Sequence, residues 1–123
     1  MNNLDEITNS LEKAVTYINK ALSADSLSDV EHNLWCVNSE LEYSLFIFNL
    51  SIDDDNHFNW SPSKSLLVKL KHLDLNAKLK LINNYLLKVL NLVKVDFFSA
   101  YKKTVALIVL SRMFYRELRR QMK

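Results

Sequence analysis

The chain has 123 residues, a formal net charge of +2, one cysteine, one proline and no glycine. Average usage would supply about eight glycines and six prolines in this length. The missing glycines argue against the positive-φ turns of tight hairpins and so against sheet-rich folds, and they exclude the glycine-dependent phosphate loop, dinucleotide fingerprint and nucleophile elbow.

A chain of this length is expected to form one domain, burying roughly two-thirds of the surface that it exposes when unfolded. Disulfides and metals are then not needed for folding. Cys36 has no second cysteine to pair with, which fits a reducing, cytoplasmic setting. The first six residues carry neither a basic segment nor an apolar one, so no secretory leader is expected. The longest apolar run, 105–110, is six residues, against roughly 20 for a membrane span. A soluble intracellular protein is expected.

The first element is an amphipathic helix. Leu4, Ile7, Leu11, Ala14, Val15, Ile18, Ala21 and Leu22 recur at three- and four-residue spacing. A polar break follows at 24–27. Ser28 and Glu31 then read as a capping box for a second helix running to about Leu50. Val30, Leu34, Val37, Leu41, Leu45 and Phe48 form its inner stripe, while Trp35, Tyr43, Phe46 and Ile47 widen that stripe. A helix so broadly apolar is expected to touch more than one neighbour.

Residues 51–61 form the clearest loop, with Asp53, Asp54, Asp55, Asn56 and His57 and no apolar period. Ser61 and Pro62 look like an N-cap followed by proline at the first helical position. Leu66, Leu67, Leu70 and Leu73 continue from there. Asp74 or Asn76 caps a new helix, or the helix merely bends; the pattern allows either. From Leu75 the positions Leu79, Ile82, Leu86, Val89 and Val93 form a short seam of the coiled-coil kind. Asp96 is placed to cap a last helix reaching to about Met122, apolar all round at 105–110 as in a helix central to a bundle. The expected fold is all-α: a compact, single-domain bundle of four to six helices spanning 1–123.

Charge is sorted along the chain. Residues 1–60 hold eleven carboxylates against Lys13 and Lys20, a net −9, and residues 61–123 hold fourteen cations against Asp74, Asp96 and Glu117, a net +11. Three readings follow. Acidic and basic helices alternate and attract at their rims, setting helix order more than stability because surface pairs contribute about 0–1 kcal/mol each. Alternatively, two copies associate, acidic surface on basic surface. In the third reading a face serves a partner, with phosphate backbone the obvious one for the basic part.

Arg112, Arg116, Arg119, Arg120 and Lys123 lie on one helical stripe, with Lys102 and Lys103 earlier on the same element. Arginine engages two phosphate oxygens with its planar fork. This set is therefore the candidate surface for nucleic acid or an acidic partner, against the plainer reading of a solvated face that complements the helix dipole and a third in which the basic amphipathic end lies on anionic lipid. Asp53, Asp54 and Asp55 are a candidate acidic interaction loop. They lack the ligand order of an EF-hand, so no metal site is assigned, and no cofactor is expected.

Cys36 in its acidic surroundings reads as a buried small hydrophobe, not a nucleophile. His32 and His72 have no obvious second ligand. Phe58 and Trp60 flank the acidic loop and are expected to pack on the bundle; Tyr101 and Tyr115, on the basic helix, are the better base-stacking candidates. The function expected from sequence is a non-enzymatic accessory or adaptor protein. It would dock charged helical surfaces onto a protein partner or a second copy, with a nucleoprotein complex as a possible setting. Direct nucleic-acid binding, and an acidic mimic of nucleic acid that blocks a binding protein, are the alternatives. No small-molecule substrate is indicated.

Overall fold

The computed structural model describes residues 3–123, residue 54 by its backbone only. Five α-helices and one 3₁₀ turn follow one another: α1 (Asn3–Leu22), α2 (Leu27–Leu50), the turn Asp54–Asn56, α3 (Lys64–Lys71), α4 (Leu75–Leu92) and α5 (Phe97–Gln121). There is no strand among the described residues. The expected apolar periods become the core. Ile7, Leu11, Ala14 and Ile18 of α1 are fully buried, as are Leu34, Val37, Leu41 and Phe48 of α2, and Ile82, Leu86 and Val89 of α4.

Two helix starts differ from expectation. The N-cap of α2 is Ser26, not Ser28. Its backbone is extended and its hydroxyl accepts the Asp29 N–H at 3.2 Å. Ser28 lies inside the first turn, and Glu31, its supposed box partner, is engaged across the bundle by Tyr115 and Arg119. The cap of α3 is Ser63, whose hydroxyl accepts the Leu66 N–H at 3.1 Å, so Pro62 precedes the cap and does not open the helix. A serine stands on each side of that proline, and the second supplies the acceptor. Asp74 accepts the Ala77 N–H at 2.8 Å, and α3 has already ended at Lys71. The stretch 62–94 is therefore two helices. Asp96 caps α5 as expected: its carboxylate accepts the Ser99 N–H and hydroxyl, which holds its pKa below the usual carboxylate value.

α1 and α2 form a hairpin joined by residues 23–26, and α4 and α5 form a second joined by 93–96. Contacts fix the arrangement. Ser10 of α1 donates to Glu40 of α2, Lys78 of α4 reaches Glu117 of α5, and Phe48 of α2 packs on Phe97 and Tyr101 of α5. The end of α1 (Ala21, Leu22) and the start of α4 (Leu75, Leu79) line one cleft. The four long helices thus stand in the ring order α1, α2, α5, α4, each antiparallel to both of its neighbours.

In this order α2 ends at one end of the bundle and α4 begins at the other, so residues 51–74 must run its whole length. They do so along the outside of α4 and α5. The Phe58 N–H donates to the Tyr101 hydroxyl at 3.0 Å, Trp60 lies beside Tyr85 and Lys103, and Leu73 reaches Phe114 and Leu118. Loss of the real cap should be felt and loss of the apparent one should not. In denaturant unfolding, Ser26→Ala is expected to cost about 1 kcal/mol and Ser28→Ala within about 0.5 kcal/mol. The reverse ranking would show that α2 starts two residues later.

Candidate functional site

The basic stripe on α5 divides in the folded chain. Arg112 pairs with Glu42 through its Nη2 and through Nε at 3.1 Å, and Arg119 lies 3.3 Å from Glu31. Between them Ser111 donates to Asn38, and the Tyr115 hydroxyl donates to Glu31 at 2.6 Å. These residues form a polar ladder along the α2–α5 seam. Two of the four arginines are thereby occupied by the acidic helix beside them. Among the described residues, Arg116, Arg120 and Lys123 have no ion-pair partner; they are exposed and share a shallow groove with Tyr115 and Arg119. Lys102 and Lys103 lie apart, toward the start of α5, against aromatic rings of the crossover and α4.

Ring order decides what the charge division becomes. Residues 3–50 carry eight carboxylates against two lysines, and residues 75–121 carry ten cations against two carboxylates. The two acidic helices are neighbours and so are the two basic ones. Opposite charges pair at the α2–α5 seam, through Arg112 with Glu42 and Arg119 with Glu31, and the acidic hairpin lies beside the basic one.

Aromatics on α2 take an unexpected position. Ile47 is buried, but Trp35, Tyr43, Phe46 and Leu50 are 54%, 47%, 58% and 62% exposed. With Ser39 they follow the spacing 35, 39, 43, 46, 50, a single line about 22 Å long at 1.5 Å per residue. The line is bordered by Glu42, paired with Arg112 on the α5 side, and by Glu40, which accepts from Ser10 on the α1 side. The sequence does show that α2 is apolar on more sides than one. It does not show that the chain supplies only two long neighbours, α1 and α5, and leaves the third side in solvent.

Tyr101 is buried at 2% exposure, whereas Tyr115 is half-buried with its hydroxyl engaged and lines the groove of Arg116, Arg119, Arg120 and Lys123. Phe58 and Trp60 pack against the core and remain half-exposed. Asp53 and Asp55 are exposed, and the side chain of Asp54 lies outside the described residues. Among the described residues no group of three or more His, Cys, Asp or Glu side chains is placed to hold a metal ion.

Cys36 is half-buried, not sequestered in the core, and its sulfur lies 3.8 Å from Nε2 of His32 one turn earlier. Burial and the charge of Glu40 nevertheless push its thiol above the ordinary value, with Lys20 opposing. A thiolate is thus disfavoured where a nucleophile would need one. No helix among the described residues is long and apolar enough to cross a membrane. No protein-family model matches the chain, and neither a curated protein nor a solved structure shows significant similarity to it.

The Tyr115 phenol is held above its usual pKa by its hydrogen bond to Glu31, then by burial and the charge of Glu31, with Arg119 opposing. The folded state therefore binds this proton more tightly than the unfolded chain does. The resulting stability is full below the ordinary phenol value near 10 and is lost as pH rises through the folded value. An ultraviolet difference titration against Tyr115→Phe should show late ionisation, and Glu31→Gln should bring it down. An ordinary pKa with Glu31 intact would show that the bond does not persist in solution.

Proposed function

We propose that this protein is a non-enzymatic accessory or adaptor that docks a helical protein partner onto the outward face of α2. The observation that carries this reading is the exposed line of Trp35, Tyr43, Phe46 and Leu50. Contiguous apolar surface rimmed by polar groups marks interaction sites, and aromatic side chains are the commonest anchors of such interfaces. α2 is a helix with more apolar sides than its chain has neighbours to cover.

Charge selects the partner. The line sits on the acidic hairpin, so a second copy offering the same face would bring two acidic surfaces together. An amphipathic helix with a basic rim suits it better. The reading of an acidic surface that occupies a nucleic-acid-binding protein merges with this one, because it too requires a basic partner.

The reading is tested with two synthetic helical peptides of identical leucine seam, one flanked by lysines and the other by glutamates. Titration should shift the emission of Trp35 to the blue with the lysine-flanked peptide alone. Phe46→Ser with Leu50→Ser should weaken that binding at least tenfold, as for central anchors, while each surface change alters stability by about 0.5 kcal/mol or less. Binding of neither peptide, or equal binding by the double variant, would sink the proposal. Light scattering should report a monomer; a dimer abolished by the same two changes would make a second copy the occupant instead.

A further inference from the structure

The crossover does more than connect α2 to α4. Phe58 and Trp60 from the crossover, Tyr85 from α4, and Lys102, Lys103 and Ala106 from α5 line an open groove of about 240 Å³. The Lys102 ammonium lies 5.6 Å from the Phe58 ring centroid and 4.8 Å from that of Phe98, and the Lys88 ammonium lies 5.3 Å from that of Tyr85. Three aromatic rings and two ammonium groups thus share one depression, with Lys88 at its edge over Tyr85. It lies on the basic hairpin, where α4 and α5 are adjacent.

The groove is built rather than incidental. Phe58 is held by its backbone N–H bond to the Tyr101 hydroxyl, and Tyr101 is itself buried with its ring against Phe48 and Phe98. Phe58, Trp60 and Tyr85 are each half-exposed while packed on the core, and together they line the groove. Three segments distant in sequence contribute these parts, which is why sequence reading sets Phe58 and Trp60 beside the acidic aspartates and not beside the lysines.

We infer that this groove binds single-stranded nucleic acid, with a base against the Phe58, Trp60 and Tyr85 surface and adjoining phosphates on Lys88, Lys102 and Lys103. Every base offers a π-face to such a platform, and ammonium groups on its rim suit the backbone that joins successive bases. The volume is below that of pockets enclosing drug-sized ligands, so it holds one flat ring while the strand continues past it. The opposing charges are Asp96, close enough to interact with Lys102 but hydrogen-bonded to Ser99 as a helix cap, and the exposed Asp53 and Asp55 of the crossover. The site is separate from the α2 face and does not depend on it.

The test uses full-length Trp35→Phe, which leaves Trp60 as the sole tryptophan. Oligo(dT) and oligo(U) of twelve nucleotides should quench its emission at low ionic strength. The logarithm of affinity should fall with that of salt at a slope near −2, as expected for about three phosphates on a single strand. Lys102→Gln with Lys103→Gln should weaken binding about tenfold or more and flatten the slope. Tyr85→Leu, folded by circular dichroism, should weaken it about tenfold through lost stacking.

A duplex of equal length should bind more weakly than the single strand, and uridine monophosphate much more weakly than the oligomer. Equal affinity for the mononucleotide would replace the strand by a free nucleotide as the ligand. No quenching at low salt overturns the inference. So does binding that survives the lysine changes but is lost in Arg116→Glu with Arg120→Glu, which would place the strand at the far end of α5.

Discussion

The antiparallel contact between α2 and α5 is the interaction on which the rest of the structure depends. Each hairpin can form locally, since four residues join its two helices. One body results only where the hairpins meet. At the α2–α5 seam the contact is apolar at one end, with Phe48 against Phe97 and Tyr101, and polar toward the other, with Asn38, Glu42 and Glu31 facing Ser111, Arg112, Tyr115 and Arg119. The apolar end excludes water, whereas the polar end favours one register, because a slip of one helical turn would leave carboxylates opposite the wrong partners. Exposed pairs of this kind add little stability individually; their effect is on which helices become neighbours and at what height.

That choice of neighbours generates the surfaces. With α2 committed to α5 on one side and to its hairpin partner α1 on the other, its third apolar side has nothing within the chain to cover it. The same ring order places α4 beside α5, the two helices that hold most of the basic groups. It also separates the end of α2 from the start of α4 by the length of the bundle, which forces residues 51–74 into a long strap across the basic hairpin. The α2 face and the crossover groove thus follow from one topological decision. They lie on opposite hairpins.

Among the described residues, three small buried hydroxyl side chains are paired within and between helices, while Thr8 Oγ1, Asn49 Oδ1 and Asn83 Oδ1 are buried without a hydrogen-bond partner. Ser10 donates to the backbone carbonyl and carboxylate of Glu40, Ser44 to the Leu41 carbonyl and Thr104 to the Ala100 carbonyl. Small hydroxyl residues at these positions let helices approach without leaving a donor unpaired. Glu40 and Glu42, two apart in sequence, point to α1 and to α5 respectively, and so help to attach α2 to both of its neighbours.

Local physics was legible in the sequence. The periods of Ile7, Leu11 and Ile18, of Leu34, Val37 and Leu41, and of Ile82, Leu86 and Val89 marked three helices and their buried sides. Asp96 marked a cap, and the absence of glycine weighed with those periods toward an all-α bundle. Where equivalent capping residues crowd together the local signal fails: Ser26 and Ser28, or Ser61 and Ser63, differ only in which oxygen meets a free N–H in three dimensions. The candidate surfaces were less legible still. Periodicity assigns a side chain to a face of its own helix but says nothing of which helix stands opposite. Trp35 and Phe46 therefore read as core, Tyr101 read as available although it is buried, and Phe58 gave no sign that it lies against Lys102. The sequence by itself determined the helices, the core and the division of charge, because these depend on neighbours within a few turns. Only the tertiary structure decided that α2 adjoins α5, which arginines are occupied and which aromatics face solvent, because those depend on the order of helices around the bundle.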